Sequence, residues 1–211
     1  MENTSPLVIT ISRQLGSGGA YIGQQLAKNL DIFYADREII DQAAKRFSVL
    51  EKDLECREEK KLSFWQSFIR AHAVAPDAYV KPQILPPTDQ ELFKTESEII
   101  SRIAGERSAV IIGRCSSYIL RNHPNHVSLF LHAGPSFRKG RVQSLYGVAE
   151  DVAAKMIARS DKERALYHRD VIGQEWGDAR RYNLSIATDK IGVDDSVRFI
   201  LQYLEMRGVG I

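Results

Sequence analysis

A β-branched run, Leu7 to Ser12 (LVITIS), leads directly into RQLGSGGAYIGQQLAKNL. After the glycines, Ile22, Leu26, Ala27 and Leu30 recur at helical spacing. The segment therefore reads as strand, glycine loop, helix. Few openings narrow the choice of fold as much, because such a unit belongs to chains in which strands and helices alternate.

The rest of the sequence keeps that rhythm. Ile32 to Tyr34 reads as a short strand, and Asp36 opens a helix through Ile39, Ile40, Ala43 and Ala44. Ala109 to Ile112 (AVII), Val127 to His132 (VSLFLH) and Asn183 to Ala187 (NLSIA) are further strand candidates. Between them, Thr88 to Glu91 has capping-box spacing and opens a helix carrying Leu92, Phe93, Ile99, Ile100 and Ile103, with Gly105 to end it. Ser116 to Arg121 reads as a short helix, Ser136 to Asp170 as two helices separated near Gly147, and Asp194 to Met206 as the last helix. Short apolar strands alternating with helices predict an α/β fold, a parallel sheet with helices on both faces. Ligands in such folds sit beyond the strand C-termini. That rim is predicted to hold the glycine loop, Gly113-Arg114 and the start of the Arg-rich hairpin.

From Phe47 to Lys81 the chain is charged and helical in tendency, and Pro82, Pro86 and Pro87 then impose a break. We expect one unit over residues 1–211, with a core of 1–46, 88–135 and 171–211, a helical insert over 47–87 and a lid over 136–170.

Composition removes several classes of function. The 29 Lys and Arg against 27 Asp and Glu give a net charge of +2, too balanced for a chain that coats nucleic acid through bulk charge. Cys56 and Cys115 stand far apart, which signals neither a zinc site nor a disulfide framework. No run approaches the roughly 18 apolar residues of a membrane span, and the N-terminus lacks the basic start of a signal peptide. The expectation is a cytoplasmic protein with no membrane or nucleic-acid partner, and a homo-oligomer is left open.

Two constellations carry chemistry. Gly16, Ser17, Gly18 and Gly19, with Ala20 following, form a loop whose backbone N–H groups can face a phosphate at the positive end of a helix. The same glycines would also serve a tight turn with no ligand. The pattern G-x-x-x-x-G-K-[ST] is not met: the lysine position falls on Gly19 or Gln24. Arg13 is the nearby positive charge. The second constellation is the basic hairpin, with Arg138, Lys139, Arg141, Lys155, Arg159, Lys162, Arg164 and Arg169. Arg138 and Arg141 share a helix face, as do Arg159 and Lys162. Guanidinium groups in such number suit the charge spread over a transferred phosphoryl group, although a solvated face with ion pairs is the plainer account of any single residue.

The segments ITISRQLGSGGAYIGQQLA, FYADREII, AVIIGRCSSYIL, FLHAGPSFRKGRV and RSDKERALYHRDVIGQEWGDARRYNLSIAT together resemble the cytidylate kinase-like proteins, relatives of bacterial cytidylate kinase among the nucleoside monophosphate kinases. The resemblance covers most of the chain and is weakest from about Phe47 to Pro87. It implies a P-loop NTPase-like fold with a monophosphate-binding insert and an Arg-rich lid. It also implies transfer of the terminal phosphoryl of ATP, as its Mg2+ complex, to a nucleoside monophosphate, with CMP or dCMP leading. By the same resemblance Gly16 to Ala20 would hold the donor phosphates. Asp36, Arg37, Arg114 and Asp161 would contact the acceptor, and Arg138, Arg141, Arg159 and Arg164 would stabilise the transfer; from its place beside the loop, and not from the resemblance, Arg13 is expected to stand in for the loop lysine and join them. The chain departs from the better-known cytidylate kinases at the loop lysine, at the hydroxyl residue beside it, and at Cys115, where those kinases carry an aspartate. A nucleotide-binding module with little or no transfer and a small-metabolite kinase are the alternatives.

Blander roles are expected elsewhere. Asp36 is a good N-cap, Cys115 a small buried hydrophobe, and Trp176 an anchor beside a turn aspartate, Asp178. The histidines show no ligand spacing, and no metal site is predicted. Phe64, Trp65 and Phe68 suggest packing or a partner surface.

Overall fold

Five runs of apolar and β-branched residues form strands: β1 Val8–Arg13, β2 Phe33–Ala35, β3 Ala109–Ile112, β4 His126–His132 and β5 Leu184–Ala187. The computed structural model describes residues 5–36, 39–40 and 90–208, and in it the strands make one sheet of order β2-β3-β1-β4-β5. Every pairing is parallel. The helices are α1 Gly19–Leu30, α2 Gln90–Glu106, α3 Ser116–Ile119, α4 Pro135–Tyr146, α5 Glu150–Ile172, α6 Thr188–Ile191 and α7 Val193–Met206. The predicted insert 47–87, with Phe64, Trp65 and Phe68, lies outside the described residues, as do Arg37 and the Thr88 end of the capping box.

Strand residues alternate between two apolar layers because side chains leave a strand on opposite faces. Ile9, Ile11, Val110, Ile112, Leu129 and Leu131 pack with Ile22 and Leu26 of α1 and with Val197, Ile200 and Leu204 of α7. Val8, Ala109 and Ile111 face the other way, onto Ile99, Ile100 and Ile103 of α2. Truncating Ile100, which has no exposed surface, to alanine would cost about 2–5 kcal/mol. Helix α2 runs through Gly105 to Glu106, so that glycine does not end it. An isolated glycine costs only ~1 kcal/mol in a helix interior, which the packing of three isoleucines outweighs.

Beneath β4 the second layer turns aromatic. Phe130 meets Trp176 edge-on at 5.5 Å and Tyr182 at 5.1 Å, and the Tyr182 hydroxyl donates to the Trp176 carbonyl at 2.9 Å. Asp178 caps the short 3-10 turn Ala179–Arg181. Trp176 is therefore the anchor expected, and Asp178 closes the turn beside it.

Helices α4 and α5 form the hairpin expected as a lid. Their shared core of Val142, Ala153 and Ile157 includes Leu15, a residue of the glycine loop. The hairpin and the loop thus belong to one apolar cluster.

Candidate active site

The loop leaves β1 at Arg13 and enters α1 at Gly19, with Gly18 as the N-cap residue. Gly16 and Gly18 have φ of 85° and 87°, a left-handed conformation that favours glycine. Space imposes the same choice, since a Cβ on Gly16 would stand 2.7 Å from the Arg138 carbonyl oxygen. The first helical hydrogen bond runs from Ile22 N–H to the Gly18 carbonyl at 2.9 Å. The amides of Gly19, Ala20 and Tyr21 therefore precede the helix's first bonded donor and have no acceptor within it, and they point with the helix dipole toward any bound anion. A cleft of about 330 Å3, counted with its opening to solvent, is lined here by Arg13, Gln14, Gly16, Gly18, Gly19 and Arg164, among others.

The side chain of Ser17 has a structural part. Its hydroxyl donates to the Gln14 carbonyl at 2.8 Å and the residue is fully buried, so it braces the loop and offers no side-chain donor to a phosphate. A second brace comes from the far end of the chain. The Thr188 hydroxyl sits on the Ser17 carbonyl at 2.8 Å and on the His132 carbonyl at 3.2 Å. Thr188 was missed from sequence, although a hydroxyl directly after the last strand is a legible signal.

Three arginines converge on the loop. Arg13 lays its aliphatic stem against Gly19 and its guanidinium over Gly113, so that a side chain at either glycine would collide with it. Arg138 donates from Nε to the Leu15 carbonyl at 2.7 Å and from Nη2 to Asp161 at 2.7 Å. Arg164 donates from Nη1 to the Arg13 carbonyl at 3.0 Å and lies 5.9 Å from the Trp176 ring. Burial, reinforced by the charges of Arg13 and Arg138 and opposed by Asp161, lowers the Arg164 pKa to about 9. Removal from water is the main cause, and the neighbouring positive charges add to it.

The remaining hairpin residues divide. Arg141 is half-buried, 5.8 Å from the Phe137 ring and close enough to Tyr21 for its charge to act there. Arg159 does not join the group: two thirds of its side chain is exposed and it pairs with Glu163 one turn along α5 at 2.7 Å. Asp161, expected on the acceptor, is held by Arg138 beside the loop. Helix geometry turns Arg159 outward, since positions 157, 160 and 164 make the buried stripe of α5 and 159 falls on its outer face.

At the end of β3, Gly113, Arg114 and Cys115 have φ of 76°, 56° and 53°. The Arg114 guanidinium is buried in an ion pair with Glu96 of α2, Nη2 to Oε1 2.7 Å. Glu96 also escaped sequence reading, yet it stands three, four and seven residues before Ile99, Ile100 and Ile103, the spacing of one helix face. The Cys115 thiol is pushed up to about 12, chiefly by burial, as suits a packed hydrophobe. Asp36 is an N-cap, its Oδ1 accepting from Ile39 N–H at 3.1 Å. Burial holds His126 and His168 down to about 4. Among the described residues no group of three His, Cys, Asp or Glu is placed to hold a metal ion, and no helix is long and apolar enough to cross a membrane.

A parallel sheet with a glycine turn after its first strand and arginines over that turn defines an α/β fold of the P-loop kinase type. The model of the cytidylate kinase-like family matches residues 8–190, and the chain belongs to that family. Among solved structures, an uncharacterized protein of Eubacterium ventriosum is 27% identical with a TM-score of 0.71, over 94% of this chain and 98% of that one. A shikimate kinase of Bacteroides thetaiotaomicron shares the fold at 13% identity and TM-score 0.50, over 94% and 98% of the two chains. A gluconokinase of Sinorhizobium meliloti does so at 14% and 0.50, over 92% and 88%. No curated protein matches the sequence.

Proposed function

We propose that the chain is a phosphotransferase that moves the terminal phosphoryl group of ATP to a nucleoside monophosphate, with CMP or dCMP the leading acceptors. The observation that carries this reading is the set of three guanidinium groups, Arg13, Arg138 and Arg164, gathered around the glycine loop. Family membership supports a kinase acting on a nucleotide or small molecule.

The donor groups of the loop suit the oxygens of a triphosphate. The amides of Gly19, Ala20 and Tyr21 would meet its oxygens, and Gly16 and Gly18 keep side chains out of the way. Magnesium would arrive as part of the ATP complex and supply further charge neutralisation. Arg13 reaches from the loop to Gly113, so its charge lies between the donor turn and the Arg114 turn. No nucleophilic side chain is needed, because phosphoryl transfer is served by positioning and electrostatics. Arg138 and Arg164 hold the hairpin against the loop and would exclude water.

One feature favours a second reading. The loop has no lysine at the usual position, which suits a nucleotide-binding module with little transfer. Incubation with magnesium-ATP and a panel of nucleoside monophosphates, extended to sugars and small acids, separates the cases. ADP formation dependent on CMP or dCMP is expected. Nucleotide binding with no ADP above background would establish the module, and turnover of a sugar or acid alone would establish a small-metabolite kinase.

A further inference from the structure

The Arg114 turn contains more than an arginine. Glu96 lies on the sheet-facing side of α2 and has no exposed surface. An ionised carboxylate is costly to bury unless a strong partner meets it, and Arg114 Nη2 stands 2.7 Å from its Oε1. A guanidinium is a planar fork of five donors, so fixing one edge fixes the direction of the others. The backbone adds to the constraint. Arg114 and Cys115 are both left-handed without being glycine, a state that persists where the surroundings over-determine it.

A third element meets this pair. Tyr167 of α5 lies with its hydroxyl buried and its ring edge-on to Phe93 of α2 at 6.2 Å. Its phenol is pushed up by burial and by Glu96, and pulled back by Arg114, which places all three groups together. Tyr167 therefore neighbours the ion pair, and it sits on the helix that carries Arg164.

We propose that Glu96 is a positioning residue for the acceptor: it holds Arg114 by one edge so that another edge meets the monophosphate. The inference rests on the kinase reading above, and it assigns to a buried carboxylate a part in recognising an anion.

The test uses the full chain. Binding of ribonucleoside monophosphates without ATP is measured by titration calorimetry, the tightest-binding one is carried forward, and turnover and ATP KM are measured beside it. Glu96→Gln is expected to weaken monophosphate binding about tenfold or more while ATP KM stays within about twofold. Glu96→Asp, which keeps the charge, is expected to recover part of the loss. Should Glu96→Gln fail to fold, Glu96→Asp carries the reading alone, with a loss of about threefold or more in monophosphate affinity and none for ATP. Unchanged or tighter monophosphate binding, or an equal loss for ATP, would overturn the proposal and leave the kinase reading standing. Wild-type protein that binds a monophosphate but never phosphorylates one would sink the kinase reading, and a selective loss in Glu96→Gln would still uphold the positioning role. Wild-type protein that binds no monophosphate would end both.

Discussion

Two turns sit side by side at the C-terminal rim of the sheet, and they solve the same backbone problem in opposite ways. After β1 the left-handed positions are glycines, Gly16 and Gly18; after β3 the series Gly113, Arg114 and Cys115 carries two side chains through the same region of φ. In the first turn the main chain leaves no room for a side chain at Gly16. In the second the side chains carry the contacts, and the strain of about 1–3 kcal/mol per left-handed residue is offset by what they do. Arg114 reaches the buried Glu96, and Cys115 fills the core.

Four substitutions or probes can break or sharpen that contrast. Gly16→Ala should have the largest effect, because it combines an unfavourable φ with a contact of 2.7 Å to the Arg138 carbonyl. A fall in kcat/KM for ATP of about a hundredfold or more, close to 2.7 kcal/mol, is expected. Arg114→Ala comes next. It should raise the acceptor KM by about tenfold or more with ATP KM nearly constant, and lower stability by about 3 kcal/mol in urea unfolding, because Glu96 loses its guanidinium partner. Equal effects on both substrates would mean that the two turns are not functionally separate.

The third probe is chemical. With Cys56 replaced by serine, the remaining thiol, Cys115, should react with a thiol reagent at pH 8 about a hundredfold slower in the native state than in urea, as its burial implies. Rapid native labelling would show that this turn opens readily. The smallest effect belongs to Arg159→Ala, which breaks an exposed i,i+4 pair with Glu163. Stability should change by no more than about 0.5 kcal/mol, with kcat unchanged; a large fall in kcat would return Arg159 to the transfer group.

The contrast also explains what could be read in advance. Strands such as Ala109–Ile112 and the glycine loop were legible because β-branched runs and glycines report local backbone needs. The pairing of Arg138 with Asp161 was not legible, nor was the division of the basic hairpin into Arg164, turned inward, and Arg159, turned outward. Sequence spacing places residues on a helix face, while the direction of that face is set by tertiary packing, here around Leu15, Val142 and Ile157. Ser17 illustrates the same limit, since its hydroxyl is absorbed by Gln14 within the turn. Glu96 is different, for an acidic residue inside an isoleucine stripe is a signal that can be recognised.

The Thr188 hydroxyl joins residues 171 positions apart when it meets the Ser17 carbonyl. During synthesis, then, the glycine loop emerges early but stays unfastened until the last strand has cleared the ribosome. A nascent chain cannot complete this turn, and a transcript cut short before β5 yields a loop that lacks its latch.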